Sequence, residues 1–114
     1  MGFEPFSVVV VVPFPFTDKV AAKRRPAVVL SRHGTLSPGR AILAMITSST
    51  TETWPLDVPV LELSAAGLTV PCLVRLKLFT LEEDQIIRSL GHLSVRDAAA
   101  LSAALGTAFG LAVS

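Results

Sequence analysis

A single cysteine, Cys72, is all the thiol chemistry available to this chain of 114 residues. An intramolecular disulfide is therefore excluded, and a structural zinc site has no ligand cluster to stand on. Cys72 falls in the apolar run Pro71-Cys72-Leu73-Val74, where it reads as a small buried hydrophobe suited to a reducing cytoplasm. Charge is also scarce. Only 17% of residues are Asp, Glu, Lys or Arg and the formal net charge is +1, so the whole molecule is no polycation for coating nucleic acid. No apolar run is long enough to span a bilayer, so no membrane association is expected. Met1-Gly2-Phe3-Glu4-Pro5 lacks the positive region and cleavage pattern of a signal peptide, and Pro5-Phe6-Ser7 makes a poor myristoylation motif. A Gly-rich dinucleotide fingerprint, a P-loop and metal-ligand spacing are all missing, so no cofactor and no metal are expected.

What the chain has in abundance is apolar surface. Hydrophobic residues make up 51% of it, more than a solitary small domain needs, and the surplus points to a subunit interface and a homodimer. The length suits one domain with one core, spanning residues 1–114. Residues 8–12 are all valine, a β-branched run that predicts a core strand. Further strands are expected over 26–31, 41–47, 57–61, 72–77 and 86–93, the last interrupted at Gly91. In 72–77, Arg75 and Lys77 are expected on one side and Val74, Leu76 and Leu78 on the other. Residues 33–39 and 65–68 read as turns, and 48–53 as a polar loop. Thr80-Leu81-Glu82-Glu83 and Ser94-Val95-Arg96-Asp97 are capping-box patterns, predicting a short helix and a C-terminal one. Ala98, Leu101, Leu105 and Phe109 form the apolar stripe of the second, read as core packing. Short strands with two late helices give a mainly β fold, a small curled antiparallel sheet; composition alone leaves barrel and sandwich open.

Function concentrates between the first two strands. Pro13 and Pro15 lack N–H donors and are expected to end the first ladder, splaying Phe14 and Phe16 on a stiff segment. Lys19, Lys23, Arg24 and Arg25 then fall within seven residues, a local basic loop able to hold a few phosphates. Pro26 bars Arg25 from helical backbone, presenting its guanidinium from an extended, exposed position where the planar fork suits phosphate. A solvated loop, or an ion pair of Arg25 with Asp18, is the plainer alternative. Phe14 and Phe16 have the chemistry to stack bases, with core burial open for Phe14. Trp54 before Pro55 suits either stacking or an interface. His33 and His92 are acid–base residues that nothing in the sequence brings together.

The blocks VVVVPFPFTD (9–18), KRRPAVVLS (23–31), AMITSS (44–49) and VRLKLFTL (74–81) resemble, in order and spacing, the PemK/MazF-like toxins of bacterial toxin–antitoxin pairs. The likeness runs from about Val8 into the C-terminal helix. It implies an SH3-like barrel with helices attached, working as a homodimer. It also implies a metal-independent endoribonuclease (an mRNA interferase) that cuts single-stranded RNA at short sequences and is neutralised by an antitoxin. By this resemblance Arg25 of the Arg-Pro motif and Thr47 after the third strand form the catalytic pair. Phe16, Thr17, Lys19, Lys23, Arg24 and Ser48 would bind RNA. Thr47, read without the family, is an ordinary strand or turn residue. Ser7-Val8 stands where many members carry Gly-Asp, and the valine run is one residue longer than usual, which predicts a bulge or register shift. The competing reading is a barrel without cleavage activity, a binding module or a gyrase poison of the CcdB-like kind. The ending Gly110-Leu111-Ala112-Val113-Ser114 lacks the aromatic terminus of the latter.

Overall fold

A run of five valines suits a strand that is buried on both faces, because alternate side chains leave in opposite directions. In the computed structural model, which describes residues 6–14, 23–36, 38–48 and 52–111, that strand is β1 (Val8–Phe14). Val9 faces one hydrophobic cluster while Val8, Val10 and Val12 face another. Each such side chain withdrawn from water contributes about 1.5–3 kcal/mol. Among the described residues five more strands complete the sheet: β2 (Lys23–Val29), β3 (Arg40–Ser48), β4 (Val58–Pro59), β5 (Cys72–Glu82) and β6 (Arg88–His92). All pairs are antiparallel, in the order β4-β5-β3-β2-β1-β6, forming a curled half-barrel. The 15-residue helix α1 (Val95–Phe109) follows, and no helix among the described residues is long and apolar enough to cross a membrane.

Several boundaries differ from expectation, each for a local reason. β1 does not end at Pro13 but pairs with β2 through Phe14. The Val11 carbonyl accepts from Ile87 N, so Val11 and, two residues on, Pro13 turn their polar groups toward β6. The β6 ladder has already stopped at Val11, so the N–H that Pro13 lacks is one no neighbour requires. β2 starts at Lys23, not Pro26, which puts Lys23, Arg24 and Arg25 inside a strand instead of in the loop before it. β5 runs to Glu82, through the stretch expected to open a helix. Only a 3-10 turn, Glu83–Gln85, follows, and its capping box is Glu82 with Gln85. The strand expected over 57–61 is reduced to Val58–Pro59. Pairing of β1 with β6 jumps from Val9↔Gly91 to Val10↔Ser89, leaving Leu90 as the extra residue. The bulge thus lies on β6, so the longer valine run is not what it absorbs.

Helix α1 begins as expected at Ser94, whose hydroxyl accepts from Asp97 N at 3.1 Å. Asp97 does not close the capping box. Its Oδ2 accepts instead from Leu61 N and Glu62 N, both at 3.0 Å, which ties the helix start to the chain leaving β4. Leu101, Ala104 and Leu105 bury into the first cluster against Val9, Val28, Ile46 and Val74, whereas Phe109, at the end of the stripe, stays exposed. The open side of the curl is closed by the 61–68 turn against β6. His92 N donates to Ala65 O at 2.9 Å, and Gly67 and Gly91 pack backbone to backbone, with Gly67 at φ +75°.

Candidate functional site

The site begins with a missing proton. Leu30 N donates to Ile42 O (2.8 Å), and antiparallel alternation repeats that polarity at Val28, opposite Ala44. The next donor in the series belongs to Pro26, which has none. The β2–β3 ladder accordingly stops at Ala27↔Met45. Continued outward, its register sets Pro26 opposite Ile46 and Arg25 opposite Thr47, with no ladder between them. β1 holds this end of β2 from the other side, through Pro26↔Val11, Arg25↔Val12 and Arg24↔Pro13. Arg25 and Thr47 share the parity of Ala27, Val29 and Leu43, so both belong to the sheet face of the second cluster.

Arg25 is half-buried, where an exposed side chain was expected; its place inside β2 against β1 encloses the stem. Its Nε is buried and has no hydrogen-bond partner among the described residues, which leaves an unsatisfied donor at this end of β2. Thr47 is half-buried and Ser48, ending β3, is exposed. Arg25 and Ser48 border a cleft of about 290 Å³ whose other walls include Pro26, Ile46, Thr69 and Leu90. Thr47 is not among its walls. Arg24 is exposed and, by alternation, leaves the opposite face of β2 from Arg25. Lys23 contributes backbone to β2. Its side chain, with Phe14's, and the whole of Phe16, Thr17, Asp18 and Lys19 lie outside the described residues, so the stacking and ion-pair readings of that loop do too. A guanidinium held at the end of a ladder, across from a hydroxyl, has the chemistry to hold the oxygens of a phosphodiester.

One constellation escaped the sequence reading. Arg75, expected on the side opposite Val74, Leu76 and Leu78, is buried. Its Nε and Nη2 donate to the two carboxylate oxygens of Asp57 at 3.0 and 2.8 Å, and Nη2 also donates to the Glu52 carbonyl at 3.1 Å. The Arg75 hydrogen bond holds the Asp57 carboxyl below its usual range, against the opposing effect of burial. Trp54 covers the guanidinium, its ring centroid 4.9 Å from Arg75 Cζ. The only sequence signal was opposite charge at positions 18 apart, which by itself selects no pair. The histidines remain separate: His33 Nδ1 meets Glu83 Oε2 at 2.9 Å, while His92 Nδ1 meets Ser7 Oγ at 3.3 Å. Among the described residues no three His, Cys, Asp or Glu side chains gather as a metal would require.

Comparison with known proteins places these features in context. A family model described as a PemK-like, MazF-like toxin of type II toxin–antitoxin systems matches residues 7–109. The search of curated proteins gives no match. Among solved structures, the Mycobacterium tuberculosis toxin MazF-mt6 is 25% identical with a TM-score of 0.70, covering 93% of this chain and 99% of its own. A mycobacterial endoribonuclease in complex with its cognate antitoxin aligns over 100% of both chains at 18% identity and a TM-score of 0.72. The MazE–MazF complex of Deinococcus radiodurans (Form-III) has a TM-score of 0.71 at 20% identity, over 96% of this chain and 98% of that one. At these lower identities the likeness is one of fold.

Proposed function

Because this chain belongs to the PemK-like, MazF-like toxin family of type II toxin–antitoxin systems, we propose that it is a sequence-specific, metal-independent endoribonuclease cutting single-stranded RNA. The observation that carries this reading is the interrupted ladder, with Arg25 across from Thr47 and an Arg25 N–H that has no partner among the described residues. RNA brings its own nucleophile. The 2′-OH gives up its proton to solvent as it attacks the adjacent phosphorus in line. The bond to the 5′-oxygen breaks and that oxygen takes up a proton from solvent, so the products are a 2′,3′-cyclic phosphate and a 5′-OH. The protein has to hold that geometry and stabilise charge on the phosphorane. Arg25 supplies the cation, and Thr47 donates its hydroxyl hydrogen to a non-bridging oxygen and orients it. Arg25 stays charged throughout, so it serves electrostatics better than proton transfer. Phe16, Thr17, Lys19, Lys23, Arg24 and Ser48 guide the strand on either side, the cations through phosphate contacts that weaken as salt rises.

The working unit in this proposal is a homodimer of one domain, residues 1–114, acting in the cytoplasm. Its partner is an antitoxin whose acidic, initially disordered tail folds across the RNA groove and satisfies these cations. The test is incubation of the purified protein with long single-stranded RNA in excess chelator, beside Arg25→Ala and Thr47→Ala. Discrete fragments with cyclic-phosphate ends from wild type alone support the assignment of both residues. Intact RNA from a folded wild-type protein would replace the reading with a non-cleaving binding module.

A further inference from the structure

Trp54 is 40% exposed, yet firmly held. Its ring lies over Arg75, and its backbone N–H donates to Asp57 Oδ2 at 2.8 Å. The same carboxylate grips Arg75 through two hydrogen bonds. The indole is therefore ordered before any ligand arrives, which lowers the entropy lost on binding. Its location matters as much. Thr47 pairs with Leu73, and Arg75 lies two residues farther along β5 on the same face. Thr47 and Arg75 are thus diagonal neighbours, about 7–8 Å apart. From these observations we propose that Trp54 is a stacking platform for one unpaired base beside the phosphate held at Arg25 and Thr47. This rests on the ribonuclease reading above.

The electrostatics select the kind of occupant. A guanidinium held under one face of the indole draws on its π-density, so a second cation gains little from the outer face. A lysine or arginine of a protein partner is a poor match there, whereas a flat neutral base is a good one. Stacking on an aromatic ring tolerates any base, because each has a π-face. Trp54 accordingly positions the strand and leaves base identity to other contacts.

Trp54 is the only tryptophan in the chain, so intrinsic fluorescence reads this residue alone. The probes are a short oligodeoxyadenylate, which lacks the attacking hydroxyl, and an abasic oligomer of equal length and charge. Oligodeoxyadenylate should quench wild-type emission, and the abasic oligomer should bind about tenfold more weakly without quenching. Trp54→Leu, which keeps an apolar cover over Arg75, should bind both oligomers alike; Trp54→Phe should recover most of the preference for bases. In cleavage assays Trp54→Leu should raise KM about tenfold and change kcat by much less. Emission unmoved at saturating oligodeoxyadenylate, or unchanged binding by Trp54→Leu, would overturn the platform. So would emission that follows protein concentration alone, which would mean that a second copy of the chain covers the ring. If wild type cuts RNA while Trp54→Leu binds normally, the platform falls and the ribonuclease stands. If wild type leaves RNA intact but shows the base-dependent quenching, the reverse holds.

Discussion

Replacing Gly91 with alanine probes how the curl is closed. A methyl group built there would stand 2.8 Å from the Ala66 carbonyl carbon and 3.0 Å from Gly67 N, and closer still to the Ala65 oxygen. These are backbone atoms, so no change of rotamer relieves the overlap. Carbon atoms pack comfortably at about 3.5–4.0 Å, so the 61–68 turn or β6 must retreat by about 1 Å. Overpacking of this kind costs about 1–3 kcal/mol. The retreat also stretches the bond from His92 N to Ala65 O, now 2.9 Å, at about 0.5–1.5 kcal/mol. The total, about 1.5–4.5 kcal/mol, is a large share of a stability of about 5–15 kcal/mol. At about 4 °C per kcal/mol for a domain of this size, thermal unfolding should shift down by about 6–18 °C. Gly39→Ala is the control, because its φ of +77° is costly for alanine but a methyl there meets nothing within 4 Å. That substitution should lose only about 1–2 kcal/mol. If Gly91→Ala melts within about 2 °C of wild type, or no lower than Gly39→Ala, the closure argument is wrong.

Two further outcomes follow from the titrating groups. The folded-state pKa of Asp57 is depressed, chiefly by the Arg75 hydrogen bond, so its contribution is present above the ordinary carboxylate value of about 3.9 and lost as pH falls through the folded value. Denaturant midpoints should therefore fall more steeply in acid for wild type than for Asp57→Asn, and parallel curves below about pH 4 would contradict the pair's role. Burial raises the pKa of the Cys72 thiol, and the thiolate is the reactive form, so native protein should react with a chromogenic disulfide only as fast as it opens. Prompt reaction at neutral pH would show that the β5 thiol is more accessible than its 7% exposure implies.

The sequence was most legible where one local rule acted alone. The valine run made a strand, Ser94 capped a helix, and 41–47 lies within β3. It misled where a rule depends on which neighbour stands alongside. Proline ends a ladder only when its missing donor faces a partner, and one strand's letters do not say which side that is. Pro13 therefore let β1 continue, and Pro59 sits in an edge strand paired only with β5, while Pro26 halted the ladder on its β3 side. Along β5 the pairing jumps from Met45↔Arg75 to Ala44↔Leu78, but the two residues left without counterparts, Leu76 and Lys77, preserve parity, so Val74, Leu76 and Leu78 share the first cluster as expected. The setting of Arg75 carried no local signal, since only the folded chain brings Asp57 and Trp54 to it. For the candidate site, the family-like motif picked out Arg25 and Thr47 as residues, but their juxtaposition became visible only through the register.

Pro26 also bears on how durable the gap beside Arg25 is. A seam kept open by bulky side chains can close when those side chains turn aside. One kept open by an imino acid cannot, since no rotamer gives Pro26 the N–H that the Ile46 carbonyl would accept from. The opening behaves like a zip with a stop sewn into the tape. Its position is fixed by covalent bonding and stays put as the surrounding surface drifts, so the loops around it can change what they grip without moving where they grip it.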